Sequence, residues 1–146
     1  MNYGYLCNEI QHFSAMAKIT VQNTQITVLQ WAEQDYISLT DMASAKEGDS
    51  RSADIIKNWI RNRYTIEFLG TWEVIHNPNF KVVEFDHFRK SAGLPSFVLS
   101  ASEWIECTSA IGLVVKKGRY GGTYAHKDIA FEFGSAISVP FKLYLI

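Results

Sequence analysis

The sequence has little cysteine and no long apolar run. Its two cysteines, Cys7 and Cys107, lie far apart and lack the paired spacing of a zinc site. Two isolated thiols favour a reducing compartment. No apolar run approaches the roughly 18 residues that a membrane helix needs, and the N-terminus lacks the basic region of a signal peptide. These absences predict a cytoplasmic protein with no membrane segment, no metal and no cofactor.

The chain also lacks an excess of charge of either sign. Lysine and arginine number 14 and aspartate and glutamate number 15, so the net charge is −1. This balance provides no global attraction to a polyanion, and any nucleic-acid binding must depend on local segregation of charge. Hydrophobic residues make up 47% of the 146 residues, which is enough to bury the core of one domain. The four tryptophans are spread along the chain, as is typical of core packing.

The first half of the chain predicts a short extension followed by a small sheet. Residues 1–15 show no clear period and are interpreted as an extension outside the fold, which leaves residues 16–146 as the domain. Apolar and polar residues alternate over 18–22 and 25–31, with a tight hairpin turn at Asn23-Thr24. A turn at 33–35 leads to a third strand over 36–39. These segments predict a small antiparallel sheet.

Helical spacing and capping residues dominate the segments that follow. Thr40 is predicted to cap a helix over 40–46, closed by Gly48. Ser52 is predicted to cap a helix over 52–62, and Thr65 to begin the next one. Further helices are predicted over 84–92, over 101–111 behind a capping box of Ser100 and Glu103, and over 126–137.

A compact strand–loop–strand segment lies between the last two helices. Residues 113–116 and 123–125 read as strands around a glycine-rich loop at 117–122. Together with the small sheet and short helices, this order predicts an α+β fold. It is the pattern of a winged helix-turn-helix-like domain, with a small antiparallel N-terminal sheet and a β-hairpin wing.

The hairpin carries a set of residues suited to phosphate contact. Three glycines allow close approach to another backbone, and lysine, arginine and hydroxyl groups can donate to phosphate oxygens. No carboxylate occurs from residue 116 to residue 127. A solvated turn is the plain alternative, whereas a nucleotide-binding P-loop would need Lys-Ser or Lys-Thr after the last glycine. The candidate DNA-binding residues are Lys116, Lys117, Gly118, Arg119, Tyr120, Gly121, Gly122, Thr123, Tyr124, His126 and Lys127.

A second basic surface is predicted on the helix over residues 52–62. Its apolar positions form one face, which leaves polar and basic side chains on the other, opposed only by Asp54. Arginine and asparagine are residue types that hydrogen-bond to base edges in the major groove. A solvated helix face is again the alternative. The candidate residues of this helix and its flanks are Arg51, Lys57, Asn58, Arg61 and Arg63.

No catalytic arrangement stands out in the sequence. Glu84, Asp86 and His87 lie close together, but carboxylates at this spacing are typical of a solvated first turn of a helix. Cys107 lies in an amphipathic helix, where a buried structural thiol is more common than a nucleophile. We therefore expect a binding protein and not an enzyme.

Three segments resemble a known family, the KilA-N domain. They are Ile-Ser-Leu-Thr-Asp-Met-Ala at 37–43, Trp-Ile-Arg at 59–61, and Gly-Arg-Tyr-Gly-Gly-Thr-Tyr-Ala-His-Lys-Asp-Ile-Ala at 118–130. The closing Ile-Ser-Val-Pro-Phe-Lys at 137–142 is also similar to the end of that family. The resemblance covers the chain from about Lys18 onward. KilA-N domains occur in phages, large DNA viruses and bacterial prophage regions, and are related to the APSES DNA-binding domain of fungal transcription factors.

The resemblance implies a winged helix-turn-helix fold that binds double-stranded DNA. It places the wing at 116–124 and the helix pair at 40–46 and 52–62. A long stretch, 65–112, separates that pair from the wing. Two helices, 52–62 and 101–111, therefore remain candidates for the one that enters the major groove of DNA. The second of these carries only Glu103 and Glu106 as charges, which favours the first. A homodimer, a protein-interaction role such as an antirepressor using Phe80, Phe97 and residues 141–146, and RNA binding remain alternatives.

Overall fold

The computed structural model describes residues 15–21, 24–119 and 121–137, and within these ranges it contains five strands and six helices. In chain order they are β1 Ala15–Val21, β2 Thr24–Trp31, β3 Gln34–Ser38, α1 Leu39–Glu47, α2 Ser52–Ile60, α3 Arg63–His76, α4 Val82–Ser91, α5 Ala101–Thr108, β4 Leu113–Lys116, β5 Gly122–His126 and α6 Lys127–Ile137. A 3-10 turn, Asp49–Arg51, connects α1 to α2. The predicted extension, residues 1–15, lies outside the described residues except for Ala15, which begins β1.

All five strands form one antiparallel sheet in the order β1-β2-β3-β5-β4. Strand β3 pairs with β5, with Ile37 opposite Ala125, so the predicted wing continues the N-terminal sheet. The sequence suggested two separate structures, because each hairpin is local whereas the β3–β5 pairing joins distant segments. The fold is α+β, as predicted. The hairpin of β4 and β5 forms one edge of this sheet and β1 forms the other.

The starts of the first three helices differ from those predicted. Ser38, not Thr40, caps α1, because its hydroxyl accepts the N–H of Asp41 at 3.0 Å. Ser52 is a buried first residue of α2 that follows the 3-10 turn, and Arg51 precedes it without a side-chain cap. Helix α3 begins earlier than Thr65, since the side chain of Asn62 accepts the N–H of Tyr64 at 2.9 Å.

The remaining helices follow the sequence pattern more closely. The predicted cap at Ser100 is present, since its hydroxyl accepts the N–H of Glu103 at 3.1 Å. Helix α5 ends at Thr108, three residues before the predicted end, because Ser109 adopts the left-handed conformation with φ of 58°. Helix α4 begins two residues earlier than predicted, and α6 begins at Lys127 because His126 belongs to β5.

Aromatic side chains fill the core between the sheet and the helices. Trp59 of α2 packs edge-on against Phe133 of α6, with ring centroids 4.9 Å apart. Trp72 and Trp104 are also buried, which confirms the predicted core role for three of the four tryptophans. Trp31, at the end of β2, is only half-buried. Ring packing therefore holds α2 against α6.

Glu73 of α3 is a buried carboxylate that the sequence did not single out. Its side chain accepts the backbone N–H groups of Ile111 at 2.9 Å and Gly112 at 2.6 Å. It also accepts the amide N–H of Asn77 at 2.9 Å. Burial raises the pKa of Glu73, and these three donors act in the opposite direction. The carboxylate ties the end of α3 to the segment that enters β4, and so helps to position the hairpin.

Within the described ranges, no helix is both long enough and apolar enough to cross a membrane.

Candidate nucleic-acid interface

The β4–β5 hairpin presents a turn with a basic tip. The strands pair from Leu113 opposite Ala125 to Lys116 opposite Gly122. The turn is closed by the N–H of Gly121, which donates to the carbonyl of Gly118 at 2.9 Å. Gly118 has a φ of +80°, which favours glycine there.

The exposed part of the hairpin is its tip. Lys117, Gly118, Arg119 and Gly121 are exposed, whereas three of the predicted contact residues, Lys116, Gly122 and Thr123, are half-buried at the ends of the strands. Tyr120 lies outside the described residues. The two outermost cations are therefore placed where a phosphate backbone can reach them.

The structure does not bring Tyr124 or His126 to the surface that the sequence predicted for them. Tyr124 is 1% exposed, and its burial raises the pKa of the phenol to about 12. His126 is 6% exposed and packs against Tyr36 and Trp72. Alternation along β5 places the two side chains on one face, and the pairing of β5 with β3 turns that face into the core. Neither side chain can contact DNA beside the hairpin tip without leaving the core.

Lys127 also lies apart from the basic hairpin tip. It is exposed at the start of α6 and lines a cavity with His126 and Trp31. The predicted extension of the hairpin surface into α6 is therefore not formed, because the chain turns away from the tip at the end of β5.

Helix α2 buries one face and exposes the basic one. Ile56, Trp59 and Ile60 are buried, whereas Lys57 and Asn58 are exposed on the helix. The predicted contact residues at its ends are exposed as well: Arg51 precedes α2, Arg61 follows it, and Arg63 begins α3. The side chain of Arg63 lies 3.6 Å from the carboxylate of Glu67, which offsets part of its charge.

A groove brings α2 and the hairpin together. A cavity of about 350 Å³ is lined by Lys57, Ile56 and Ala53 of α2 and by Val115, Gly122 and Thr123 of the hairpin. The N-terminal end of α5 also lines it, through Ser100, Ala101 and Ser102. The two surfaces that the sequence predicted separately are thus neighbours on one side of the molecule. The sequence disfavoured the segment that forms α5 as a DNA-contacting helix, because its only charged residues are acidic.

The hairpin is fixed beside α1 by a hydrogen bond. The hydroxyl of Thr40 accepts the backbone N–H of Thr123 at 3.0 Å. Gly122 packs so closely on the same side chain that a Cβ atom there would lie 2.6 Å from the Thr40 hydroxyl oxygen. Thr40, predicted as a helix cap, instead holds the hairpin against the helix pair. The orientation of the hairpin beside α2 depends on this contact.

We expect Gly122→Ala to lower the free energy of unfolding by roughly 2–3 kcal/mol, because a positive φ disfavours alanine and the new methyl group overlaps Thr40. Gly122 has a φ of +147°. Gly118→Ala is the matched control, since no atom lies within 4 Å of the position of its added Cβ. Only the positive φ then disfavours alanine, which lowers the free energy of unfolding by about 1 kcal/mol. Urea denaturation followed by circular dichroism measures both. Equal losses would show that Thr40 does not constrain the hairpin.

A second cavity borders the end of α2. It has a volume of about 460 Å³ and is lined by Asn58, Arg61, Asn62 and Arg63 together with the loop residues Gly93, Leu94 and Pro95. Leu94 is 58% exposed beside these basic side chains. The basic side of α2 therefore extends to the loop that follows α4, a neighbour that lies far along the chain from α2.

An α+β domain in which a basic helix and a hairpin with a basic tip border one groove has an arrangement suited to contact with nucleic acid. The family model of the KilA-N domain matches residues 19–146, and the chain belongs to that family. The resemblance seen in the sequence is confirmed. KilA-N domains are generally DNA-binding domains. No curated protein and no solved structure matches the chain.

Proposed function

We propose that the chain binds double-stranded DNA as a regulator of transcription, in the cytoplasm of a bacterium or in a phage or prophage system. The observation that carries the proposal is the groove, which is lined by Lys57 of α2 and by the strands of the hairpin whose exposed tip carries Lys117 and Arg119. Family membership supports the choice of DNA as the partner. The proposal assigns binding to the chain and no catalytic step.

Helix α2 is proposed to enter the major groove. Helices α1 and α2 are consecutive and joined by a short turn, which is the connection of a helix-turn-helix pair. In such a pair the second helix contacts base edges. Lys57, Asn58 and Arg61 are the exposed side chains of α2 and its C-terminal end that can donate to guanine or pair with adenine. Base reading is assigned to these three residues.

The hairpin is proposed to contact the phosphate backbone and the adjoining minor groove. Lys117 and Arg119 are exposed at its tip, where Gly118 and Gly121 add no side-chain bulk. Contacts of this kind provide affinity and orientation without reading sequence. With both surfaces engaged, about four to six phosphates would be neutralised.

We expect Lys57→Ala combined with Arg61→Ala to reduce the preference for a selected duplex over an unrelated one, by roughly 1–3 kcal/mol for each bidentate base contact that is lost. Competition binding with the two duplexes measures that preference. Arg89→Ala is the control, since Arg89 is ion-paired with Asp86 on α4. If the double variant retains full preference, α2 is not the reading helix.

A second candidate function is binding of a protein, such as a repressor. The apolar residues proposed for it from the sequence do not form an exposed surface: Phe80 is buried, Phe97 is half-buried, and residues 141–146 lie outside the described residues. Other apolar side chains are exposed. Ile75 at the end of α3 and Val83 at the start of α4 are 70% and 68% exposed, and this is the observation that favours the second candidate.

An electrophoretic shift assay with duplex DNA, an RNA hairpin and single-stranded DNA, each at two salt concentrations, tests the proposed function. We expect the duplex to shift at the lowest protein concentration and the shift to weaken at higher salt. A preference for the RNA hairpin would show that the chain binds RNA and would contradict the proposal. A folded chain that shifts no nucleic acid would favour the protein-binding candidate and exclude the proposal.

A further inference from the structure

A separate aromatic cavity lies away from the groove. Its volume is about 420 Å³, and it opens between the end of β2, the end of α3 and the start of α6. Trp31, Gln34, His76, Lys127 and Asp128 are among its lining residues, and none of its lining residues also lines the groove. The volume falls within the range of small-molecule sites, which are commonly apolar with a few polar groups at fixed positions.

The walls of the cavity are a continuous series of rings. Trp31 lies 5.5 Å from Tyr36, Tyr36 lies 5.8 Å from His126, and His126 lies 4.9 Å from Trp72, measured between ring centroids. His76 stacks on Trp72 at 4.3 Å. Tyr36, Trp72 and His126 are buried, whereas Trp31 is half-buried and His76 is exposed. The ring faces accessible to a ligand are therefore those of Trp31 and His76.

The polar groups of the buried rings are held by internal hydrogen bonds. The Tyr36 hydroxyl donates to the carbonyl of Ile111 at 2.8 Å, and the Trp72 indole N–H donates to a carboxylate oxygen of Asp128 at 3.2 Å. These bonds fix the two rings in place. Such a preformed wall lowers the ordering cost of binding a ligand.

His126 contacts Asp128 and Gln34 through its two ring nitrogens. Its Nδ1 lies 3.2 Å from the backbone nitrogen of Asp128 and 3.4 Å from a carboxylate oxygen of the same residue. The backbone N–H can donate only to an unprotonated Nδ1, and in that tautomer Nε2–H donates to Gln34 Oε1 at 2.9 Å. Burial lowers the pKa of His126, against the opposing effect of Asp128. The NH₂ group of Gln34 and the second oxygen of Asp128 keep capacity to bond a ligand.

We propose that this cavity binds a planar nitrogen heterocycle carrying an anionic group, the chemistry of a nucleotide. The heterocycle would stack on Trp31 and His76, its edge would hydrogen-bond to Gln34 and Asp128, and Lys127 at the rim would pair with the phosphate. A quaternary ammonium group fits less well, because an aromatic cage needs several accessible ring faces and Lys127 would repel the cation.

Titration with adenosine 5′-monophosphate tests the proposal on the full chain, with the four tryptophan indole N–H signals read by NMR. We expect the signals of Trp31 and Trp72, which line the cavity, to shift and those of Trp59 and Trp104, which do not line it, to stay. Unmoved Trp31 and Trp72 signals at saturating nucleotide, or tighter binding of tetramethylammonium, would overturn the proposal.

Two variants of exposed residues separate the parts of the site. His76→Ala should weaken nucleotide binding roughly tenfold, the loss expected for one stacking contact. Lys127→Gln should weaken binding of the nucleotide but not of adenosine, which lacks the phosphate. Tyr64→Ala is the control, because Tyr64 is an exposed ring near the opposite end of α3 from His76. An equal loss in Tyr64→Ala would contradict the assignment.

The same nucleotide chemistry occurs in a free mononucleotide and in an unpaired base of a strand. Titration with a short oligodeoxyadenylate distinguishes these sources. If it shifts the two indole signals at lower concentration than the mononucleotide does, the ligand is a strand. The reverse order identifies a free nucleotide. The proposal stands apart from duplex binding, since His76→Ala leaves the groove residues unchanged.

Discussion

Lys117→Ala combined with Arg119→Ala is expected to weaken DNA binding on the order of 50-fold at about 0.1 M salt, on every duplex sequence. Each phosphate contact that is lost also loses the associated counterion release, which lowers the association constant by a factor of about eight at this salt concentration. Both side chains are exposed at the hairpin tip, so their removal leaves the core unchanged. Fluorescence anisotropy with a labelled duplex measures the loss, and unrelated duplexes show whether it is uniform.

The control for this prediction removes the same charge elsewhere. Lys18 lies on β1, the opposite edge of the sheet from the hairpin. Lys81 lies beside the C-terminal end of α5, since its N–H donates to the carbonyl of Thr108, whereas the N-terminal end of α5 lines the groove. Lys18→Ala with Lys81→Ala should therefore keep nearly full affinity. Similar losses in both double variants would mean that net charge, and not the hairpin, determines binding.

Glu73→Leu is expected to lower the free energy of unfolding by about 3 kcal/mol or more. The substitution leaves the N–H groups of Ile111 and Gly112 without an acceptor, while the side-chain amide of Asn77 loses one of its two and keeps the carbonyl of Ser109. Each buried donor left unpaired costs about 1–3 kcal/mol. Loss of the buried charge itself recovers part of this cost. Urea denaturation measures the change through the midpoint at constant m-value.

Glu73→Gln serves as the matched variant for the same site. It keeps one carbonyl oxygen that can accept the N–H groups of Ile111 and Asn77, but it presents an amide NH₂ to the N–H of Gly112. Its stability should therefore fall between those of the wild type and Glu73→Leu. If Glu73→Leu is as stable as the wild type, the carboxylate does not hold the segment entering β4.

The parts of the site that could be predicted from sequence are those encoded by neighbouring residues. The glycines of the hairpin and the apolar run that precedes them locate β4 and β5 to within a residue or two. The spacing of Ile56, Trp59 and Ile60 places the basic side chains of α2 on the opposite face. The hydroxyl of Ser100 caps α5 as predicted. Each of these features depends on contacts within a few residues.

The features that were missed depend on contacts between distant segments. Ser38 and Thr40 are both suitable helix caps. Ser38 caps the helix, because the hydroxyl of Thr40 accepts the backbone N–H of Thr123 instead. Alternation shows that Tyr124 and His126 share a face of β5, but only the pairing with β3 shows that this face is buried.

The groove itself also required the structure. Lys57 and Thr123 lie far apart in the chain, and they become neighbours because β5 joins the sheet beside the strand that leads into α1. The sequence could identify both basic segments as candidates from their charge. It could not show that they border one cavity, because that depends on strand order.

The salt dependence of duplex affinity tests the central claim most directly, because it counts the phosphate contacts that α2 and the hairpin make together. The logarithm of the association constant should fall linearly with the logarithm of salt concentration, with a slope of about −4 to −5. Removing Lys117 and Arg119 should reduce the size of that slope by about two. A duplex affinity that does not change with salt, or a slope that the double variant leaves unaltered, would contradict the account.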